Sequence, residues 1–332
     1  MAIEVNNARF HYPDGTLAVD DVSFKVPTGS VTALVGPNGV GKTTMLELIA
    51  GDLELSEGVI RSDSEVAYMR QNPGFDDPET ATVLDALALS LPKQLRPVHA
   101  RLQRLYADND GSADSGIAIA EALEVWQSLG GYDEEAMWDQ TTRAVLGQGV
   151  AQAGERKLVE LSGGERKGII LRSFMFSSVP TLILDEPDNF LDLYSKAWLE
   201  QALRESSKTI FVVSHDRTLL TKAIDRMIVF EHNGSWVHGG NYGTFRDARR
   251  ARNEKLAKDL SDRFRILKTH KINAEALTRV VEKGPNVNAM KGQLLEELMN
   301  SRVREAVITE GGRESLGLPD IESTLEFIEG CL

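Results

Sequence analysis

The stretch VTALVGPNGVGKTTMLELIAG, residues 31–51, decides the fold. Val31 to Val35 is a short apolar, β-branched run of the kind buried in a parallel sheet. Gly36 to Thr43 then fits G-x-x-x-x-G-K-[ST] in full, and the following residues read as a helix that Gly51 closes. Strand, glycine-rich loop and helix in this order make a phosphate cradle. The glycines let the backbone curl so that successive N–H groups face phosphate oxygens; Lys42 reaches the β and γ phosphates, and the Thr43 hydroxyl binds Mg²⁺. A glycine-rich turn that happens to carry a lysine is the alternative, and the strand–loop–helix setting argues against it.

The 332 residues suit about two domains. With 42% hydrophobic and 26% charged residues, the composition is that of an ordinary globular protein, and no apolar run is long enough to span a membrane. The N-terminus alternates like a strand and lacks the layout of a secretory signal. One cysteine, Cys331, excludes an internal disulfide framework, so a cytoplasmic location is expected. The formal charge of −13 is unevenly spread. Residues 246–271 hold ten Lys or Arg against four acids, which makes that segment +6 and leaves −19 elsewhere.

Short strands separated by turns are expected near 2–12, 20–26 and 65–69, besides the strand before the loop. From about 80 to 160 the pattern turns helical, as in ATVLDALALSL, IAIAEALEVWQSL and EEAMWDQTTRAVLG. TLILD (181–185), TIFVVS (209–214) and DRMIVFE (225–231) restore strand–helix alternation, whereas WVHGGNYGTF reads as a turn. Residues 244–282 read as one long charged helix ended by Gly284-Pro285, and an amphipathic helix near 289–307 precedes an acidic end.

Other residues carry chemistry at the ends of these strands. Asp185 and Glu186 close TLILDE, where one carboxylate can hold Mg²⁺ and the other can act as general base toward an attacking water. Taken alone, such a pair is more often a helix cap. Gln71 follows the strand EVAYM, and His215 follows TIFVVS. At LSGGERKG, 161–168, a serine and two bare glycines open a second helix, so unpaired N–H groups and the positive dipole end make another anion seat there.

In their order along the chain these stretches resemble the nucleotide-binding domain of the ATP-binding cassette (ABC) superfamily over residues 1–245. The resemblance implies an α/β fold: a P-loop NTPase (RecA-like) parallel-sheet core, an antiparallel β subdomain and an α-helical subdomain at about 76–178. A linker-like basic helix, 246–283, and a helical, acidic tail, 284–332, would follow. It implies ATP and Mg²⁺ as cofactors. Tyr12 would stack on adenine, and Gly36, Asn38, Gly39, Gly41, Lys42, Thr43 and Thr44 would hold the phosphates. Thr43, Gln71 and Asp185 would serve the metal, with Glu186, His215 and Gln71 as the catalytic group. Ser162, Gly163 and Gly164 of the signature LSGGE would close over an ATP held by another cassette, so the partner is a second cassette, in a homodimer or with a different chain.

DEPDNFLD, LGGYDEEAMWD, VSHDR and GGNYGTFRDARRARNEK look like the ABC-F branch, ATPases that act on ribosomes. That resemblance implies a role in translation or antibiotic resistance, with rRNA or tRNA met through 246–271, where a cationic helix suits a phosphate-lined cleft. No second P-loop, LSGGE or DEP occurs after residue 245. Gly168 stands where the branch usually has an arginine, which removes a cation from the signature helix. Two alternatives stay open: the ATPase subunit of an ABC transporter, and a single cassette that binds ATP without hydrolysing it.

Overall fold

Val31–Val35 becomes the third strand of the chain, and its neighbours set the sheet. The computed structural model describes residues 2–72, 75, 79–231, 234–252, 254 and 255. In chain order the strands are β1 (Ile3–His11), β2 (Leu17–Val26), β3 (Val31–Val35), β4 (Glu57–Ser62), β5 (Val66–Met69), β6 (Thr181–Asp185), β7 (Thr209–Val213), β8 (Arg226–Glu231) and β9 (Gly234–His238). A six-stranded sheet runs β5-β6-β7-β3-β8-β9, parallel except for β9, which pairs antiparallel with β8. A second, antiparallel sheet runs β2-β1-β4. Every residue of β6 and β7 is buried, as parallel strands covered on both faces require.

The α-helices fall between the strands. α1 (Lys42–Ala50) follows β3; α2 (Val83–Ala88), α3 (Arg96–Ala107), α4 (Ala113–Ser128), α5 (Gly131–Leu146), α6 (Val150–Ala153) and α7 (Gly163–Phe176) lie between β5 and β6. α8 (Leu193–Glu205) joins β6 to β7, and α9 (Arg217–Lys222) joins β7 to β8. These crossovers allow neighbouring strands to run parallel. One core serves both sheets. Phe24 of β2 meets Phe211 of β7 at 5.7 Å and Phe230 of β8 at 6.1 Å between ring centroids, with Met45 and Leu46 of α1 buried in the same cluster.

The helical region has its own aromatic centre. Trp126 of α4 and Trp138 of α5 lie 6.4 Å apart, with His99 of α3 against both. The paired glycines of LGGYDEE have separate reasons. Gly130 takes φ +83°, and a Cβ on Gly131 would lie 2.2 Å from the Trp126 ring.

Two expectations need correction. β4 was not anticipated, because EGVIRS is mostly exposed and carries no clear apolar alternation; pairing with β1 makes it a strand. Trp236–His238, expected as part of a turn, instead belong to β9, which hydrogen-bonds along β8. The chain divides into two units at Gly243 and Thr244. In the second, residues 244–252 are helical and Arg250 Nε pairs with Glu254 Oε1 at 3.1 Å. The rest of the expected basic helix and the whole 284–332 tail lie outside the described residues.

Candidate functional site

The loop between β3 and α1 is shaped by contact with its own fold as much as by any ligand. Gly41, the residue before α1, has φ +87°, and a Cβ there would lie 2.2 Å from the Ala18 carbonyl oxygen. A Cβ on Gly36 would lie 2.5 Å from the Phe230 carbonyl oxygen. Gly39 has open space around it and needs only its φ of +79°. No side chain caps α1, so its first N–H groups remain for an anion. Lys42 Nζ donates to the carbonyls of Gly36 at 3.0 Å and Pro37 at 2.8 Å, which arches the side chain back over the loop containing Asn38. Burial lowers the Lys42 pKa, while Glu186 and Asp185 favour its charged form.

Thr43 Oγ1 donates to Asp185 Oδ2 at 3.2 Å. The Tyr68 hydroxyl also points at that carboxylate oxygen, 3.4 Å away. Burial raises the Asp185 pKa against the hydrogen bonds from Thr43 and Tyr68, and burial with the nearby carboxylate drives the Tyr68 phenol far up. One hydroxyl and one buried carboxylate side by side are hard oxygen donors of the kind Mg²⁺ takes, with waters and phosphate oxygens completing its shell. Among the described residues no cluster of three or more His, Cys, Asp or Glu forms a metal cage, and Mg²⁺ at a phosphate site does not require one.

Glu186 sits just past β6 in the left-handed region, at φ +48°, and its N–H bonds to the Val213 carbonyl of β7 at 2.9 Å. That turn brings three loops to one carboxylate. Gln71 Nε2 donates to Glu186 Oε2 at 2.6 Å, Asn189 Nδ2 donates to the same oxygen, and His215 Nε2 lies 3.6 Å from Oε1. His215 is 58% exposed at its side chain and Glu186 20%, so solvent reaches the imidazole more easily than the carboxylate. Gln71 therefore meets the Glu186 carboxylate directly; its side-chain bond is to Glu186, not to Thr43 or Asp185.

Tyr12 begins the turn after β1. Its hydroxyl bonds Thr44 Oγ1 at 2.9 Å, and its ring stands edge-on to Phe10 at 5.0 Å. Thr44 is buried on α1, held from that side. The signature residues stay outside this cluster. Ser162 caps α7, accepting from Glu165 N at 3.2 Å and donating to Glu165 Oε2 at 2.7 Å. Gly163 faces open space, and a Cβ on Gly164 would lie 3.6 Å from the Phe190 carbonyl.

Sequence reading missed Asn189, Tyr68, Lys167 and Asp188. Asn189 lies within DEPDNFLD, close enough to Glu186 in sequence to have been weighed. Tyr68 is the next-to-last residue of β5, and the parallel register sets it opposite Ile183 of β6, two residues before the Asp185 that its hydroxyl reaches. Lys167 stands inside LSGGERKG, in the same stretch as Ser162, Gly163 and Gly164.

The sequence model of the ABC transporter family matches residues 19–189. An "antibiotic resistance protein" of Mycobacteroides abscessus is 41% identical over 263 residues, 77% of this chain and 47% of that protein. The tylosin resistance ATP-binding protein TlrC of Streptomyces fradiae is 30% identical over 246 residues, 72% of this chain and 44% of that protein. The chain thus spans less than half the length of these curated relatives. Among solved structures, the ATP-binding subunit of an ABC transporter shares the fold at TM-score 0.53 and 18% identity, over 75% of this chain and 93% of that one. A bacterial Atm1-family ABC exporter with ATP bound does so at TM-score 0.52 and 18% identity, over 74% of this chain and 40% of that one. No helix among the described residues is long and apolar enough to cross a membrane. The match over half the chain, on a fold that gathers the P-loop and the acids of β6 at one sheet end, makes this chain a member of the ATP-binding cassette family.

Proposed function

We propose that this chain is an ABC-F-like ATPase cassette that acts on the ribosome, in translation or antibiotic resistance, with each active site completed by the signature of a second cassette. The observation that carries hydrolysis is the Glu186 carboxylate, held by Gln71 at 2.6 Å and by Asn189 with His215 beside it. A carboxylate gripped at one oxygen keeps the other free to take a proton from an attacking water. Mg²⁺ bound at Thr43 and Asp185 would neutralise charge on the β and γ phosphates. Lys42 and the open N–H groups of α1 would orient those phosphates, and Tyr12 would face the base. The ABC-F reading draws on the DEPDNFLD, LGGYDEEAMWD and VSHDR stretches and on two relatives named for antibiotic resistance. The basic segment 246–271 supports an RNA partner, and one cysteine suits the cytoplasm.

The test is Glu186→Gln in the full chain. Loss of the base should lower ATP turnover by about 100-fold or more while leaving ATP binding intact. The ATP-loaded variant should self-associate on size exclusion and co-sediment with ribosomes more than the wild type. Co-purification with an integral membrane protein would instead support a transporter subunit. A variant that stays monomeric at saturating ATP, from a wild type without turnover, would leave a non-hydrolysing nucleotide binder.

A further inference from the structure

Lys167 has no part in the reading above, yet it is only 7% exposed and lies among the acids of the site. It is the fifth residue of α7, the helix that Ser162 starts. Its Nζ reaches the Gln71 backbone carbonyl at 3.5 Å, a long contact strengthened by the donor's charge. Burial lowers its pKa, and three carboxylates oppose that by favouring the charged form: Asp188 most, then Asp185 and Glu186. Asp188 is itself 6% exposed, and its Oδ1 has no hydrogen-bond partner. A buried carboxylate without a partner is costly unless a nearby cation offsets its charge, and so is a buried ammonium without an anion.

We propose that Lys167 is a positioning residue for hydrolysis: from the signature helix it fixes the backbone of Gln71 and balances Asp188, so that the Gln71 side chain stays on Glu186. The route is short. Gln71 accepts from Lys167 at its carbonyl and donates to Glu186 from its side chain at 2.6 Å. The cation thus acts on the general base through one intervening residue. The consequence reaches beyond one site, because α7 also carries Ser162, Gly163 and Gly164. A shift of that helix on meeting a partner's phosphate would be felt at this chain's own Glu186.

The inference rests on the ATPase reading, and two measurements on the full chain separate their failures. The first is steady-state hydrolysis. Lys167→Met should lower kcat by about 10- to 100-fold while KM for ATP changes by less than about twofold, since the lost alignment matters mostly in the transition state. Lys167→Arg, which keeps the charge, should recover most of that loss. The second needs no turnover: hydrogen–deuterium exchange should rise in peptides covering residues 66–72 in Lys167→Met, fall back in Lys167→Arg, and stay unchanged along α8. Should Lys167→Met fold poorly, adding Asp188→Asn removes the unbalanced carboxylate and should restore folding. Unchanged exchange at 66–72, or an arginine variant no better than methionine, would overturn the proposal. Raised exchange in a protein without ATP turnover would keep the contact and sink the ATPase reading alone.

Discussion

Tyr12 presents an aromatic face at the rim of the phosphate loop, 37% exposed, with its hydroxyl engaged to Thr44. The two halves of this side chain can be separated. If the ring is the adenine platform, Tyr12→Phe keeps it and should leave nucleotide affinity within about twofold, whereas Tyr12→Ala should weaken binding by roughly tenfold, within the range of one base–aromatic stack. A fluorescent ATP analogue titrated against the three proteins reads the difference; equal losses in both variants would mean that the hydroxyl's bond to Thr44 carries the effect. Ser162 poses a similar question of commitment. Its hydroxyl proton points to Glu165, so donation to a phosphate requires that bond to be released. The capping box that starts α7 uses the hydroxyl's lone pair and the Ser162 N–H, so it can persist while that hydrogen turns elsewhere.

At the scale of elements, α7 carries a glycine where a helix gains nothing from one. Gly168 is buried, and a Cβ there would meet Val145 of α5 at 3.6 and 3.7 Å, ordinary contact distances. Space does not demand glycine. Gly168→Ala should therefore raise stability by about 0.5–1 kcal/mol, through helix propensity and lower unfolded-state entropy, and urea denaturation would show it as a higher midpoint. A lower midpoint would mean that α5 and α7 are closer than these distances allow. The segment after β6 shows strain of the opposite kind. Glu186 and Phe190 both lie at positive φ, 48° and 64°, and Phe190 is exposed on that turn. Non-glycine residues hold such angles at a cost of about 1–3 kcal/mol, which surrounding bonds must offset. For Glu186 those bonds are its N–H to Val213 and its contacts with Gln71 and Asn189.

Across the first unit as a whole, the helices between β5 and β6 are tied to the sheet at the segment after α7. Lys208, just before β7, donates to the carbonyls of Ser177 and Val179, and Glu134 of α5 accepts from Ser178 N at 3.0 Å. Burial pulls the Lys208 pKa from 10.5 to about 8, against the attraction of Glu134. Between those values the unfolded chain binds more protons than the folded one, so this group lets stability rise with pH through the window. Below about pH 8 the burial cost of the charge is present in full. Relative to Lys208→Met, the wild type should gain on the order of 1–2 kcal/mol between about pH 7 and pH 10, after allowing for partial solvent access. Urea midpoints of both proteins at the two pH values test this; a wild type that loses ground would show that the carbonyls and Glu134 outweigh burial.

The α/β core, the phosphate loop and the acids that end β6 are legible in the chain, because each is local: a strand, a turn and a helix start within about ten residues, with types few other structures require together. The sequence also placed the helical region, whose periodicity needs no distant partner. β4 and β9 escaped it, since exposed edge strands owe their form to the neighbour they pair with rather than to their own side chains. The company each site residue keeps comes from long-range packing. The parallel register of β5 and β6 sets Tyr68 opposite Ile183, from where its hydroxyl reaches Asp185, and the left-handed turn at Glu186 draws in Gln71 and Asn189. The packing of α7 buries Lys167 beside them. Such contacts join residues about a hundred positions apart, and separation in the chain carries no record of them.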